Sequence, residues 1–142
     1  MITYSRATSD DTQILMEILR AVRGDTKDMS GEQFVIAKNA EKIIGCTRIK
    51  QLIDCLELAS VAVLPEYRKQ GIGLALVKYI LETDNRRPIY LLCFAETCNF
   101  YLKAGFNIID LNLLPNSLKQ EYDRVALLLK ASNKRIEAMS IS

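Results

Sequence analysis

Val61-Ala62-Val63-Leu64-Pro65-Glu66-Tyr67-Arg68-Lys69-Gln70-Gly71-Ile72-Gly73 decides how the rest of this 142-residue chain is read. An apolar strand runs into a proline-marked loop, then a basic, glycine-rich turn, then the start of a helix. That order builds an anion site. The first N–H groups of a helix have no internal partner, and the helix dipole makes that end positive. Gly71 and Gly73 let the backbone approach a phosphate closely, while Arg68 and Lys69 add charge. The chain holds no Gly-x-x-x-x-Gly-Lys-Ser/Thr run, so a P-loop is not indicated.

Either side of this stretch the elements alternate. Ile2 to Arg6 reads as a strand, and Thr8 to Asp11 offers helix caps ahead of the stripe Ile14, Leu15, Ile18 and Leu19. Gly24 to Gly31 is polar and loop-like. Gln33 to Lys38 and Lys42 to Gln51 read as strands joined by the turn Asn39-Ala40-Glu41. Leu56 to Val63 is apolar on both faces, as a central strand should be. Ile72, Leu76 and Ile80 then recur at helical spacing in a helix to Thr83. Ile89 to Phe94 is an interior strand, Glu96 to Lys103 a short helix that Gly105 caps, and Asn107 to Leu111 a strand. Leu114 to Tyr122 reads as a turn and short helix, and Arg124 to Lys130 as a last apolar strand. The segment beyond Ala131 is expected to fray. The sum is one α/β (α+β) domain over residues 1–131, with a tail over 132–142.

Composition narrows the function. A net charge of +2 is too small to point to nucleic acid, and no basic cluster with interleaved aromatics supports that partner. No apolar run is long enough to cross a bilayer, and Met1 to Arg6 lacks the layout of a signal peptide. Cys46, Cys55, Cys93 and Cys98 form no Cys-x-x-Cys pair. They read as small reduced apolar residues of a cytoplasmic protein. With no histidine in the chain, Ser-His and Cys-His nucleophiles are excluded and no metal site is expected.

Val61-Ala62-Val63 followed by Arg68-Lys69-Gln70-Gly71-Ile72-Gly73 resembles the acetyl-coenzyme A signature of the GNAT acetyltransferase superfamily. Phe100-Tyr101-Leu102-Lys103-Ala104-Gly105-Phe106 is similar to that family's Phe-Tyr-x-Lys-x-Gly-Phe segment. The resemblance implies a GNAT fold: a mixed central sheet, flanked by helices and splayed between its fourth and fifth strands, with acetyl-coenzyme A in the gap. It also implies that Val61, Ala62 and Val63 bind the pantetheine arm and polarise the acetyl carbonyl through backbone amides. Arg68, Lys69, Gln70, Gly71, Ile72 and Gly73 would hold the phosphates. Many relatives carry an asparagine where this chain has Ala95.

Amine acetylation requires a neutral amine, and an alkyl ammonium has a reference pKa of ~10.4, so a base or a water chain must take a proton. Glu57, in the central strand among apolar neighbours, matches the glutamate base of histone-acetylating members; solvation at a strand end is the plain alternative. Tyr101 falls on the family tyrosine and would donate a hydrogen bond to the leaving sulfur. Asp110 to Tyr122, with Leu113-Leu114-Pro115-Asn116-Ser117-Leu118-Lys119-Gln120, is similar to the end of the acetyltransferase domain of bacterial N-acetylglutamate synthases. That match implies a small amino acid as acceptor. Arg48 and Arg124 are the expected cationic residues for its carboxylates. The alternatives are a protein lysine or N-terminus as acceptor, or a non-catalytic acyl-coenzyme A-binding module. A homodimer is in keeping with the resemblance.

Overall fold

The apolar strand ahead of the glycines is the fourth of a seven-stranded sheet in the computed structural model, which describes every residue from Met1 to Ser142. In chain order the strands are β1 (Ile2–Arg6), β2 (Phe34–Asn39), β3 (Lys42–Gln51), β4 (Leu56–Val63), β5 (Ile89–Phe94), β6 (Asn107–Ile108) and β7 (Ile136–Ile141). The helices are α1 (Thr12–Ala21), α2 (Ile72–Thr83), α3 (Cys98–Leu102) and α4 (Asn116–Leu128). The hydrogen-bonded order is β1-β2-β3-β4-β5-β7-β6. The β1/β2, β2/β3, β5/β7 and β6/β7 ladders are antiparallel, and β4 with β5 is parallel. This is the mixed sheet the sequence implies.

Residues 1–50 and 58–85 form one compact unit. Its core gathers Leu15 and Leu19 of α1 with Phe34, Ile36, Ile43, Cys46 and Ala62 from three strands. Helix α2 buries Ile72, Leu76 and Ile80, the stripe its spacing predicts, and Val77 and Leu81 beside them. Each such side chain contributes about 1.5–3 kcal/mol by leaving water. Gly45 of β3 permits a close approach here: a Cβ would lie 3.0 Å from the Ala62 carbonyl oxygen and 3.1 Å from Leu76.

Residues 51–57 and 86–142 form the second unit. The parallel ladder belongs to it and comprises two pairs, Leu56↔Ile89 and Glu57↔Tyr90. Its core packs Leu114 and Leu118 against Ala138, with Leu52, Tyr90, Leu92 and Tyr122 around them. The Ser117 amide donates to the Asp54 carboxylate at 3.0 Å and so secures the first turn of α4.

Two expectations are corrected here. Arg124 to Lys130 is not a strand, because α4 runs on to Leu128. The residues expected to fray form β7, which lies beyond residue 131 and pairs with β5 from Ile89↔Ile141 to Phe94↔Ile136. Ala138 and Met139 are fully buried there. β6 is also shorter than expected, at Asn107–Ile108.

Candidate active site

The first unit presents the loop from β4 to α2. After Val63 the chain turns through Pro65–Tyr67, and Lys69 and Gly71 adopt left-handed conformations, with φ of +63° and +78°. Nothing lies within 4 Å of a Cβ built on Gly71. Glycine is therefore favoured there by backbone conformation, and the space beside it is open. The first intrahelical bond of α2 runs from the Ala75 amide to the Gly71 carbonyl at 3.1 Å. The amides from Lys69 to Leu74 enter none of the loop and cap hydrogen bonds, and Ile72 is buried at the helix start. Arg68 folds back, its Nε donating to the Val63 carbonyl at 3.0 Å, while Lys69 and Gln70 are exposed. Main-chain donors, a helix N-terminus and adjacent cations make a cradle suited to a pyrophosphate.

Upstream, β4 holds an irregularity that the sequence does not announce. Ser60 has φ of +60° inside the strand. The carbonyls of Ala59 and Ser60 accept hydrogen bonds from the Thr47 hydroxyl at 3.0 Å and the Cys46 thiol at 3.7 Å. The parallel ladder with β5 comprises only Leu56 and Glu57 of this strand. Val61, Ala62 and Val63 follow directly, with Ala62 buried and both valines half-buried.

Arg48 is placed differently from expectation. It is fully buried, and its guanidinium donates to Ser60 Oγ at 2.8 Å, Gln33 Oε1 at 3.0 Å, and the carbonyls of Asp25 and Lys27 at 3.1 and 2.9 Å. The Asp25 carboxylate lies 3.3 Å from it and 3.0 Å from Lys50 Nζ. Burial pushes the Asp25 pKa up, but the Lys27 amide, Lys50 and Arg48 together outweigh that and hold it below the usual value. These partners belong to the protein itself, so Arg48 serves the scaffold.

In the second unit, Glu57 is half-buried opposite Tyr90. Burial first, then Asp54 and the charge of Glu57, push the nearby Cys55 thiol up to about 12. Tyr101 lies on α3, with Phe100 and Phe106 ring centroids 4.9 and 6.2 Å away in edge-on contacts. Burial chiefly, with Cys93 adding to it, pushes its hydroxyl up to about 12. The Phe106 amide donates to the Tyr101 carbonyl at 3.1 Å and closes α3, with Gly105 at φ +104° in the turn.

Arg124 is also displaced from its expected setting. It lies on the exposed face of α4, paired with Glu121 one turn before it. Sequence reasoning missed a different basic group. Between α4 and β7, Lys130, Ser132, Lys134 and Arg135 line a cavity of about 330 Å³ together with Tyr122 and Glu137. Lys134 Nζ sits 5.0 Å above the Phe94 ring, and the Arg135 carbonyl accepts from the Ala95 amide at 2.9 Å. This places the basic stretch at the end of β5, where α3 begins. Two signals were available in the sequence: a Ser-Asn-Lys-Arg run, and the short apolar segment Ile136-Glu137-Ala138-Met139 behind it.

A family model described as an acetyltransferase (GNAT) domain matches residues 30–108, more than half of the chain. The chain belongs to the GNAT acetyltransferase family. It is 26% identical over 131 residues to the amino-acid acetyltransferase of Escherichia coli K12, matching 83% of this chain. The chain spans only about 30% of the length of such curated relatives. Among solved structures, N-acetylglutamate synthase from Neisseria gonorrhoeae, complexed with coenzyme A and N-acetyl-glutamate, superposes with a TM-score of 0.73 at 18% identity. It covers all of this chain and 35% of its own. Rv2747 from Mycobacterium tuberculosis, in complex with CoA, gives a TM-score of 0.70 at 21% identity over 98% of each chain. These likenesses show the GNAT fold. No helix of this domain is long and apolar enough to cross a membrane.

Proposed function

We propose that this GNAT domain transfers the acetyl group of acetyl-coenzyme A to the primary amine of a small carboxylated metabolite, an amino acid being the simplest case. The observation that carries the first half is the turn Lys69–Gly73, whose amides enter none of the loop and cap hydrogen bonds and stand beside open space at Gly71. In this reading those amides, with the charge of Lys69, grip the pyrophosphate. The backbone amides of Val61–Val63 hold the pantetheine arm and stabilise the oxyanion that forms as the amine adds to the thioester. Glu57 takes the proton from the incoming ammonium, directly or through water.

Tyr101 serves the departing thiolate. A hydroxyl at about 12 facing a thiol of reference pKa ~8.5 makes full proton transfer uphill by roughly 5 kcal/mol. Its role is therefore a donated hydrogen bond, stronger in the transition state as charge gathers on sulfur. The amine attacks the carbonyl, the C–S bond breaks, and coenzyme A leaves as the thiol once protonated by solvent.

The acceptor class is supported by the cavity with Lys130, Lys134 and Arg135, where ammonium and guanidinium groups suit carboxylates. Similarity of Leu113–Gln120 to the N-acetylglutamate synthases points the same way. The test is a thiol-release assay across amino acids, polyamines and peptides. Turnover is expected with a carboxylated amino acid, and Lys134→Ala with Arg135→Ala should raise its KM about tenfold or more while leaving coenzyme A affinity intact. Turnover on peptides alone would replace the small acceptor by a protein. Thermal stabilisation by coenzyme A without turnover on any amine would favour a non-catalytic acyl-coenzyme A-binding module.

A further inference from the structure

Ser60 is a non-glycine residue in the left-handed region, in the middle of a strand, immediately before the amides assigned to the thioester. Such a conformation persists only where its surroundings enforce it. Here the enforcement is visible. The Ser60 hydroxyl accepts from Arg48 Nε at 2.8 Å and donates to the Asp25 carbonyl at 2.8 Å, so both of its hydrogen-bonding directions are fixed. Arg48 is itself held on several sides. It reaches the Asp25 and Lys27 carbonyls and Gln33, lies 5.5 Å from the Phe34 ring centroid, and is fully buried. The loop carrying Asp25 and Lys27 is thereby tied to the bend in β4. Gln33 extends the tie, because its side-chain oxygen also accepts from the Ser30 amide at 3.2 Å.

We infer that Arg48 and Ser60 are positioning residues. Together they hold the β4 backbone in its left-handed turn, aim the Val61–Val63 amides, and fasten that aim to the loop at Asp25–Lys27. The inference rests on the acetyl-transfer reading above and deepens it. A buried guanidinium is strongly directional: its planar fork fixes each partner in one geometry, which a lysine in its place cannot reproduce. A hydrogen-bond donor that serves a developing oxyanion must be aimed before the reaction, and small displacements are costly in rate. The pyrophosphate loop lies further along the chain and uses none of these partners, so the pyrophosphate grip and carbonyl polarisation are separable.

The test is Ser60→Gly. Glycine adopts φ near +60° without strain, so the variant should fold, yet it removes the hydroxyl that fixes the bend. Isotope-edited infrared spectroscopy of bound [1-13C]acetyl-coenzyme A reads the thioester carbonyl directly and needs no acceptor. In the wild type its stretch should lie below that of the free molecule. In Ser60→Gly it should move back toward the free position, with coenzyme A affinity lowered no more than a few-fold because the pyrophosphate grip is left in place. With an accepted amine, kcat should fall roughly ten- to a hundredfold and the KM for acetyl-coenzyme A should rise no more than a few-fold. Arg48→Lys, if it folds, should move the carbonyl band the same way. A wild-type shift retained in full by Ser60→Gly, with unchanged kcat, overturns the positioning role and leaves the transfer reading standing. Absence of acetyl-coenzyme A binding by the wild type overturns that reading, and this inference with it.

Discussion

Gly71→Ala separates two reasons for a glycine at the start of α2. Its φ is +78° and its ψ 8°, and no atom lies within 4 Å of an added Cβ. The substitution therefore creates no clash inside the protein. Its folding cost is the left-handed conformation alone, about 1–2 kcal/mol. For a domain of this size that lowers Tm by roughly 2–6 °C. A protein with ordinary stability stays on the order of 99% folded at room temperature after that loss. Unfolding therefore cannot account for a large change in ligand affinity. If the open space beside Gly71 is where the pyrophosphate rests on main-chain donors, the new methyl intrudes on it. The Kd for coenzyme A, measured by isothermal titration, should then rise at least about tenfold, or ~1.4 kcal/mol. Lys69→Ala is the control. Lys69 is already left-handed at φ +63° and carries a Cβ, so alanine changes charge without changing backbone. A loss of a few-fold is expected, fading as salt is added. Coenzyme A binding by Gly71→Ala with an unaltered Kd would show that this loop does not hold the phosphates.

Other outcomes follow from the second unit. Tyr101→Phe should lower kcat about ten- to a hundredfold with little change in coenzyme A affinity. Spectrophotometric titration should show a tyrosine ionising at about 12; its stabilising contribution is complete below pH 10.0 and is lost as pH rises from there through about 12. Cys93 is pushed up to about 12, by burial first, so its reaction with a disulfide reagent at pH 8 should be far slower than that of a free thiol. Met139→Ala should cost about 2–5 kcal/mol in chemical denaturation, because Met139 is fully buried in β7; a near-zero change would mean that this strand is not part of the folded core.

What could be read in advance tracks how local each determinant is. Helix α2 was legible because Ile72, Leu76 and Ile80 sit at one spacing and all three are buried. The turn at Gly71 was legible because few residue types tolerate its φ. The apolar run Val125 to Leu129 misled, because five consecutive apolar residues look like a buried strand. In the structure Leu127 and Leu128 are about 70% exposed, and the helix follows Leu118, Tyr122 and Val125 instead. β7 was missed for the complementary reason: its partners, β5 and β6, are far away in sequence, and nothing adjacent to Ile136 reveals them. Arg48 read as a cation for the acceptor's carboxylates for the same reason. Its burial depends on carbonyls from Asp25 and Lys27 and on a left-handed serine, none of which leaves a local pattern.

The placement of β7 between β5 and β6 also bears on how the domain is made. On the ribosome, β5 and β6 emerge well before residues 136–141, and until those residues clear the exit tunnel the two strands wait with open edges. A premature stop codon before Ile136 would leave that slot vacant. The product would then be expected to reach the cell's proteases as an aggregation-prone fragment and not as a slightly shortened enzyme.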